Sequence, residues 1–194
     1  MRVCAIVLAV AMATAAVPDI DPGKTMGSPS APVTVQVFSD YECPSCKMFH
    51  DNVLPEVMRD YVAAGKVYVV YRDFPLPMHR YSRQAANYAA AAAHLGLYQP
   101  VADALFKNQP SWSQTGKVWE CVASVLTLSQ QKKVEALAAG PDVSAEIERE
   151  VRMGQQEQVN STPTLIVSHG ARKYPVSGTM PYPLLRKLFD DVAR

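Results

Sequence analysis

The sequence predicts an α/β fold: a central mixed sheet flanked by helices and carrying an all-helical insertion. Three observations predict it. Two apolar, β-branched runs, 33–38 and 66–72, bracket a long amphipathic helical segment. From about residue 79 to 159, Ala- and Leu-rich helical patterns replace them. Strand-like sequence then returns at 164–168, so the helices are an insertion and not a separate domain.

Taken in order, the chain opens on Met1-Arg2, an apolar stretch over 3–13, and Ala13-Thr14-Ala15. One positive charge, a short apolar run and an A-x-A-like site predict a cleaved secretory signal peptide over 1–16. The alternative, an uncleaved anchor, needs a longer apolar run to span a bilayer. Cys4 leaves with the signal. Residues 17–32, rich in Pro, Gly, Asp and Ser, are expected to be an extended N-terminal segment. The first strand is expected at 33–38. A helix follows from Pro44 to about Ala64, kinked at Pro55 and capped by Gly65. The second strand, 66–72, ends at Asp73-Phe74-Pro75-Leu76-Pro77. Strand, helix and strand in this order form a parallel unit with a right-handed crossover. In the insertion, helices are expected at 81–97, 100–108, 117–126, 129–138 (capped by Ser129) and 143–159. Gly140-Pro141-Asp142 reads as a break. After 164–168 come a turn at 169–171, an antiparallel return at 172–176 and a last helix over 182–192. Residues 33–194 thus form one domain around the insertion.

The chemistry sits where the first strand meets the first helix, at Ser39-Asp40-Tyr41-Glu42-Cys43-Pro44-Ser45-Cys46. Pro44 suits the first helical position, which puts Cys43 at the N-cap and Cys46 one turn in. A thiolate at the N-cap can accept from the N–H groups of Ser45 and Cys46 and feels the positive end of the helix dipole. Its pKa is expected to fall below the free value of about 8.5. Residues three apart on a helix are neighbours, so a Cys43–Cys46 disulfide can close. Cys43 is assigned as the exposed attacking sulfur and Cys46 as the shielded resolving one.

A chain of 194 residues supports one sizeable core. A net charge of +1 gives no electrostatic case for nucleic acid or an anionic membrane. Without the signal, Cys43, Cys46 and Cys121 remain. An odd count argues for one working pair and a leftover, kept where disulfides persist. Cys121 reads as a buried small hydrophobe, with an intermolecular or regulatory thiol as the alternative. His50 could join the cysteines as C-x-x-C-x-x-x-H zinc ligands, but the set lacks a fourth ligand, and the expectation is no metal and a helix-surface histidine. His79, His94 and His169 read as surface or insertion residues. Asp40, Glu42 and Lys47 read as solvated flanks, the acids opposing a Cys43 thiolate and Lys47 favouring it. Met48 and Met58 fall on the helix stripe and read as core; with Met78 and Met180 they could instead line a peptide groove.

The motifs Phe38-Ser39-Asp40-Tyr41-Glu42-Cys43-Pro44-Ser45-Cys46, Arg72-Asp73-Phe74-Pro75-Leu76 and Thr162-Pro163-Thr164-Leu165 resemble the DsbA-like thiol–disulfide oxidoreductases of the thioredoxin superfamily. The resemblance runs along essentially the whole mature chain and includes the place of the helical insertion. It implies a thioredoxin fold and a cis bond before Pro163. It also places Thr162 and Pro163 opposite Cys43 as the substrate-binding loop, with Pro44 and Ser45 as the active-site loop. The implied function is an exported oxidase that introduces disulfides into cysteine-containing polypeptides through Cys43 and Cys46. It needs no cofactor and is recharged by a membrane redox partner. The alternatives are a reductase or isomerase held reduced and, in another class, a peptide-binding holdase. Two departures from the family stand out. Val37 occupies the place of a buried carboxylate, which leaves proton transfer to water, Asp40 or Glu42. Pro44-Ser45 lacks the histidine of strongly oxidising members.

Overall fold

The computed structural model describes residues 21–193. The expected signal peptide, with Cys4, lies outside the described residues. Five strands form one mixed sheet in the order β1-β3-β2-β4-β5. They are β1 (Thr25–Met26), β2 (Val33–Ser39), β3 (Val67–Asp73), β4 (Thr164–His169) and β5 (Arg172–Ser177). β2 and β3 pair in parallel, as the strand–helix–strand pattern requires; the other pairings are antiparallel. All seven residues of β3 are buried, which is why its sequence is a nearly continuous apolar run.

The helical segment after β2 is α1 (Pro44–Met48), a π-helical turn (Phe49–Val53), α2 (Leu54–Val57) and a second π-helical turn (Met58–Val62). The π-turns surround Pro55. A proline ring clashes with the carbonyl one turn back, and a wider turn relieves that clash without ending the helix. Gly65 closes the segment with φ 68°, a left-handed conformation that suits glycine. Val33, Val35, Val37, Val69 and Tyr71 bury one sheet face under this segment, together with Leu185 and Phe189 of the last helix. The other face packs Phe38, Phe74, Val159 and Ile166. There Gly154 lets a helix press against the sheet, since a Cβ at that position would sit 2.6 Å from the Phe74 ring.

Between β3 and β4 lie α3 (Ser82–Ala93), α4 (Tyr98–Lys107), α5 (Gln109–Thr115), α6 (Val118–Ala123), α7 (Leu128–Ala138) and α8 (Pro141–Gln156); α9 (Tyr182–Val192) closes the chain. Three sequence expectations change here. α5 was not among the expected helices; Pro110 sits in its first turn, where it needs no N–H partner. Gly140-Pro141 does end α7, as expected, but Pro141 sits in the first turn of α8, which therefore starts at 141 and not at 143. The cap of α7 is Thr127, in a reciprocal capping box with Gln130, and not Ser129.

The stretch ahead of β2 does more than lead in. A 3-10 turn, Pro22–Lys24, sends Lys24 into the interior, and β1 adds an edge strand to β3. The Lys24 Nζ lies 2.9 Å from Asp73, 2.8 Å from Glu146 and 2.7 Å from Glu150, with all four residues buried. Arg72 reaches Glu150 at 3.3 Å, and the Asp73 N–H donates to Glu150 at 2.7 Å. Burial alone would lower the Lys24 pKa; the three carboxylates more than reverse this and raise it. Burial pushes the Asp73 carboxyl up to about 7, against the attraction of Lys24. The network joins the N-terminal turn, the end of β3 and α8.

Candidate active site

β2 ends at Ser39, and the chain turns through Asp40, Tyr41 and Glu42 to place Cys43 at the N-cap of α1, with φ −74° and ψ 121°. Pro44 holds the first turn, as expected. Cys43 and Cys46 are both free thiols, the dithiol state of the pair. The Cys43 thiol makes no capping hydrogen bond; it donates to the Thr162 carbonyl at 3.3 Å. The Thr162–Pro163 bond is cis, so the loop implied by the resemblance lies against the first cysteine. That loop also corrects one expectation. Cys43 is only 7% exposed, because the Thr162 backbone covers the sulfur. Cys46 is 1% exposed and accepts from the Asp40 N–H at 3.4 Å.

The two sulfurs have opposite environments. The Cys43 pKa is pulled down to about 5. The largest cause is a hydrogen bond from Cys46. The Thr162 hydroxyl, buried and otherwise unpartnered among the described residues, acts the same way, as do the N–H groups of Cys46 and Ser45; burial opposes them. Burial, followed by the neighbouring Cys43, pushes the Cys46 thiol well up. Cys43 is thus the ready thiolate and Cys46 holds its proton.

Two residues from distant parts of the chain fix this loop. Gln109, at the start of α5, donates to the Tyr41 carbonyl at 2.6 Å and the Cys43 carbonyl at 3.0 Å. The Thr179 hydroxyl donates to the Ser45 carbonyl at 2.9 Å. Sequence reading missed both, since neither a lone glutamine nor a lone threonine carries a signal.

The reading of Asp40 and Glu42 as solvated flanks fails. Asp40 is 1% exposed. Its carboxylate accepts from the N–H groups of Glu42 (2.7 Å) and Leu76 (2.8 Å) and from the Ser82 hydroxyl (2.6 Å), and it meets His79 Nδ1 at 2.7 Å. Glu42 is half-buried and accepts from the Tyr81 N–H. Lys47 turns away to Asp51, 2.7 Å along the helix surface. His50 bonds Asp103 at 3.0 Å and stacks on Phe106, so it belongs to the contact with α4. The core reading of Met48 also fails: it is 51% exposed. With Pro44, Lys47, Gln109 and Pro110 it lines a groove of about 400 Å³ beside the cysteines. Cys121 is half-buried, donates to the Ala104 carbonyl at 3.2 Å and packs on the core. Val37 is fully buried and pairs in register with Tyr71, so no carboxylate occupies that place. Among the described residues, Asp21, His94 and Glu146 bring three ligand atoms within 4.8 Å of one another, but Lys24 already supplies a positive charge to Glu146.

A family model described as Thioredoxin matches residues 20–178, well over half of the chain. The chain belongs to the thioredoxin family. Disulfide bond formation protein D of Bacillus subtilis (strain 168) is 26% identical over 160 residues, which cover 78% of this chain and 70% of that protein. The crystal structure of alpha-DsbA1 from Wolbachia pipientis superposes with a TM-score of 0.74 at 18% identity, covering 91% of this chain and 92% of that one. Oxidised BdbD from Bacillus subtilis superposes with a TM-score of 0.73 at 22% identity, covering 88% and 92%. In fold, helical insertion included, the chain is similar to these DsbA and BdbD structures, and in sequence to a protein named for disulfide bond formation.

The sulfur environments predict a pH-dependent difference between redox forms. A thiol whose pKa falls on folding stabilises the native state fully above its unfolded value, and this is lost as pH falls through the folded value. For Cys43 that window runs from about 8.5 in a free thiol down to about 5 in the folded chain. The oxidised form has no such group. Thermal melts are therefore expected to shift in favour of the reduced form as pH rises through this window. A difference in melting temperature between the two forms that stays constant with pH would contradict the Cys43 assignment.

Proposed function

We propose that this protein is an exported thiol oxidase that introduces disulfides into cysteine-containing polypeptides through the Cys43–Cys46 pair. The observation that carries the reading is the asymmetry of the sulfurs. Cys43 lies under the cis-Pro163 loop with its pKa pulled down to about 5, and Cys46 is buried with its thiol pushed well up. An acidic thiolate is a good leaving group and favours the reduced form of the pair, which makes the disulfide form oxidising. The relatives named for disulfide bond formation support this direction.

In the proposed cycle a substrate thiolate attacks Cys43 of the Cys43–Cys46 disulfide. Cys46 leaves with the electron pair and takes up a proton in its buried site. A second substrate thiolate then attacks the substrate sulfur of the mixed disulfide, and Cys43 leaves as a thiolate. Two electrons pass to the pair, and the substrate departs with its own disulfide. The Thr162 backbone, ahead of Pro163, pairs with the substrate strand during the exchange, while Pro44 and Ser45 shape the turn.

Export over residues 1–16 places this chemistry outside the cytoplasm, in the periplasm or its equivalent, where a membrane redox partner reoxidises the pair. The catalytic domain, 33–194, draws β1 and Lys24 from the segment 17–32 ahead of it and carries its insertion over about 79–159. No described helix is long and apolar enough to cross a membrane. The experiment is to mix the oxidised protein with a reduced two-cysteine peptide and follow peptide oxidation. Stoichiometric oxidation that outpaces glutathione disulfide is expected. A peptide left reduced, with the protein retaining its disulfide, would overturn the oxidase direction.

A further inference from the structure

The chain supplies no charged residue between Cys43 and Cys46, yet a basic side chain does reach this site from the connection between β3 and α3. His79 Nδ1 lies 2.7 Å from Asp40 Oδ2, and the ring is 21% exposed. Asp40 is the junction of the loop. Its carboxylate ties Glu42 beside the cysteines to Leu76 and Ser82, and its own N–H donates to the Cys46 sulfur. A buried carboxylate is costly unless it is paired and hydrogen-bonded. Among the groups facing His79, Asp40, Glu42 and Cys43 are all acids. On its own segment, Arg80 lies over the Tyr81 ring at 5.3 Å. On α3, Arg83 is engaged with Glu148. His79 is therefore the basic side chain in contact with Asp40.

We propose that His79 is a positioning residue for the exchange reaction. Protonated, it neutralises Asp40, holds the Asp40 N–H on Cys46 and offsets the negative charge that would oppose a Cys43 thiolate. The inference rests on Cys43 being the attacking sulfur. It supplies from outside the C-x-x-C turn the positive charge that Pro44-Ser45 lacks. Burial alone would lower the His79 pKa; the bond to Asp40 and the charges of Asp40, Cys43 and Glu42 outweigh burial and raise it. Coupling between two sites is reciprocal, so a Cys43 thiolate that favours protonated His79 is itself favoured by it. The sign is fixed. The His79–Asp40 contribution is complete below the free histidine value of about 6.5 and is lost as pH rises through the raised value.

The test is the thiolate absorbance of the reduced protein against pH, for the wild type, His79→Gln and His79→Arg. His79→Gln keeps a hydrogen-bonding side chain and removes the charge. It is expected to move the Cys43 midpoint up by roughly one unit, about tenfold in the ionisation constant. His79→Arg is expected to restore it. The reciprocal measurement needs no variant: the His79 imidazole, followed by NMR, should titrate at higher pH in the reduced protein than in the oxidised one. A Cys43 midpoint unchanged in His79→Gln, or a His79 midpoint equal in both redox forms, overturns this inference alone. A wild-type Cys43 that titrates like a free thiol overturns it together with the reading of the site.

Discussion

Replacing Cys43 with serine is expected to reduce disulfide exchange to the uncatalysed rate, whereas Cys46→Ser leaves a protein that reacts once and stops. The asymmetry follows from the site. Cys43 carries the sulfur whose thiolate is stabilised, by Cys46, the Thr162 hydroxyl and the N–H groups of Cys46 and Ser45. A serine hydroxyl at that place neither ionises near neutral pH nor forms a disulfide. Cys46 is buried and keeps its proton, its thiol pushed well up by burial and by the neighbouring Cys43. With Cys46 gone, the Cys43 thiolate still attacks a disulfide offered to it and expels one of its sulfurs as a thiolate, and the mixed disulfide has no resolving sulfur. Non-reducing electrophoresis and mass spectrometry should show substrate trapped on Cys46→Ser and none on Cys43→Ser. Adducts on both variants in equal amount would mean that the roles are not divided as the geometry indicates. The same pair of variants bears on the holdase alternative, since suppression of aggregation by a holdase would survive Cys43→Ser.

Lys24→Met is expected to destabilise the fold by about 3–5 kcal/mol, the range found when one partner of a buried ion pair is removed. Lys24 is the hub of its network, within 2.9 Å of three carboxylates. Without it, Asp73, Glu146 and Glu150 face one another in the interior, and the Arg72 contact at 3.3 Å, the His94 contact at 2.8 Å and the Asp73 N–H bond to Glu150 at 2.7 Å have to hold them. For a domain of this size the loss corresponds to a fall of roughly 10 °C in melting temperature. The pH dependence has a definite sign. Carboxyls stripped of their cation have raised folded pKa values, so the variant regains stability at low pH and loses it as pH rises through those values. Paired melts of wild type and variant between acid and neutral pH check this. A variant within about 2 °C of wild type at neutral pH would show that the network holds its charges without Lys24.

The cysteine pair, its strand-to-helix setting and the parallel β2–β3 pairing were legible because each rests on a short run of chain. C-x-x-C with Pro44 sets the cap locally, and the β-branched runs on either side set the strands. The cis bond at Pro163 came only from the resemblance. What escaped depends on contacts across long stretches. Asp40 looks solvated from its neighbours, yet three of its partners, Leu76, His79 and Ser82, lie 36 to 42 residues away. Gln109 sits 66 residues from Cys43, and Thr179 sits 134 residues from Ser45. Lys24 reads as one charge in a Pro/Gly-rich stretch until the fold brings Glu150 to it across 126 residues. Met48 failed for another reason. The apolar stripe was laid out with one helical period, and the π-turn at Phe49–Val53 changes that period just after Met48. Phe49 and Val53 then take the core side, and Met48 faces the groove beside the cysteines.

The central claim is that the reduced pair is the favoured one, so that the protein drives oxidation of others. The most direct test is the reduction potential of the Cys43–Cys46 couple, read by equilibrating the protein with graded glutathione buffers at pH 7. The Cys43 environment predicts a potential above that of the glutathione couple, with the dithiol persisting where a structural disulfide would already have formed. A potential well below the glutathione poise would contradict it. The disulfide would then be the stable state, and the site would belong to a reductase that depends on an upstream electron donor.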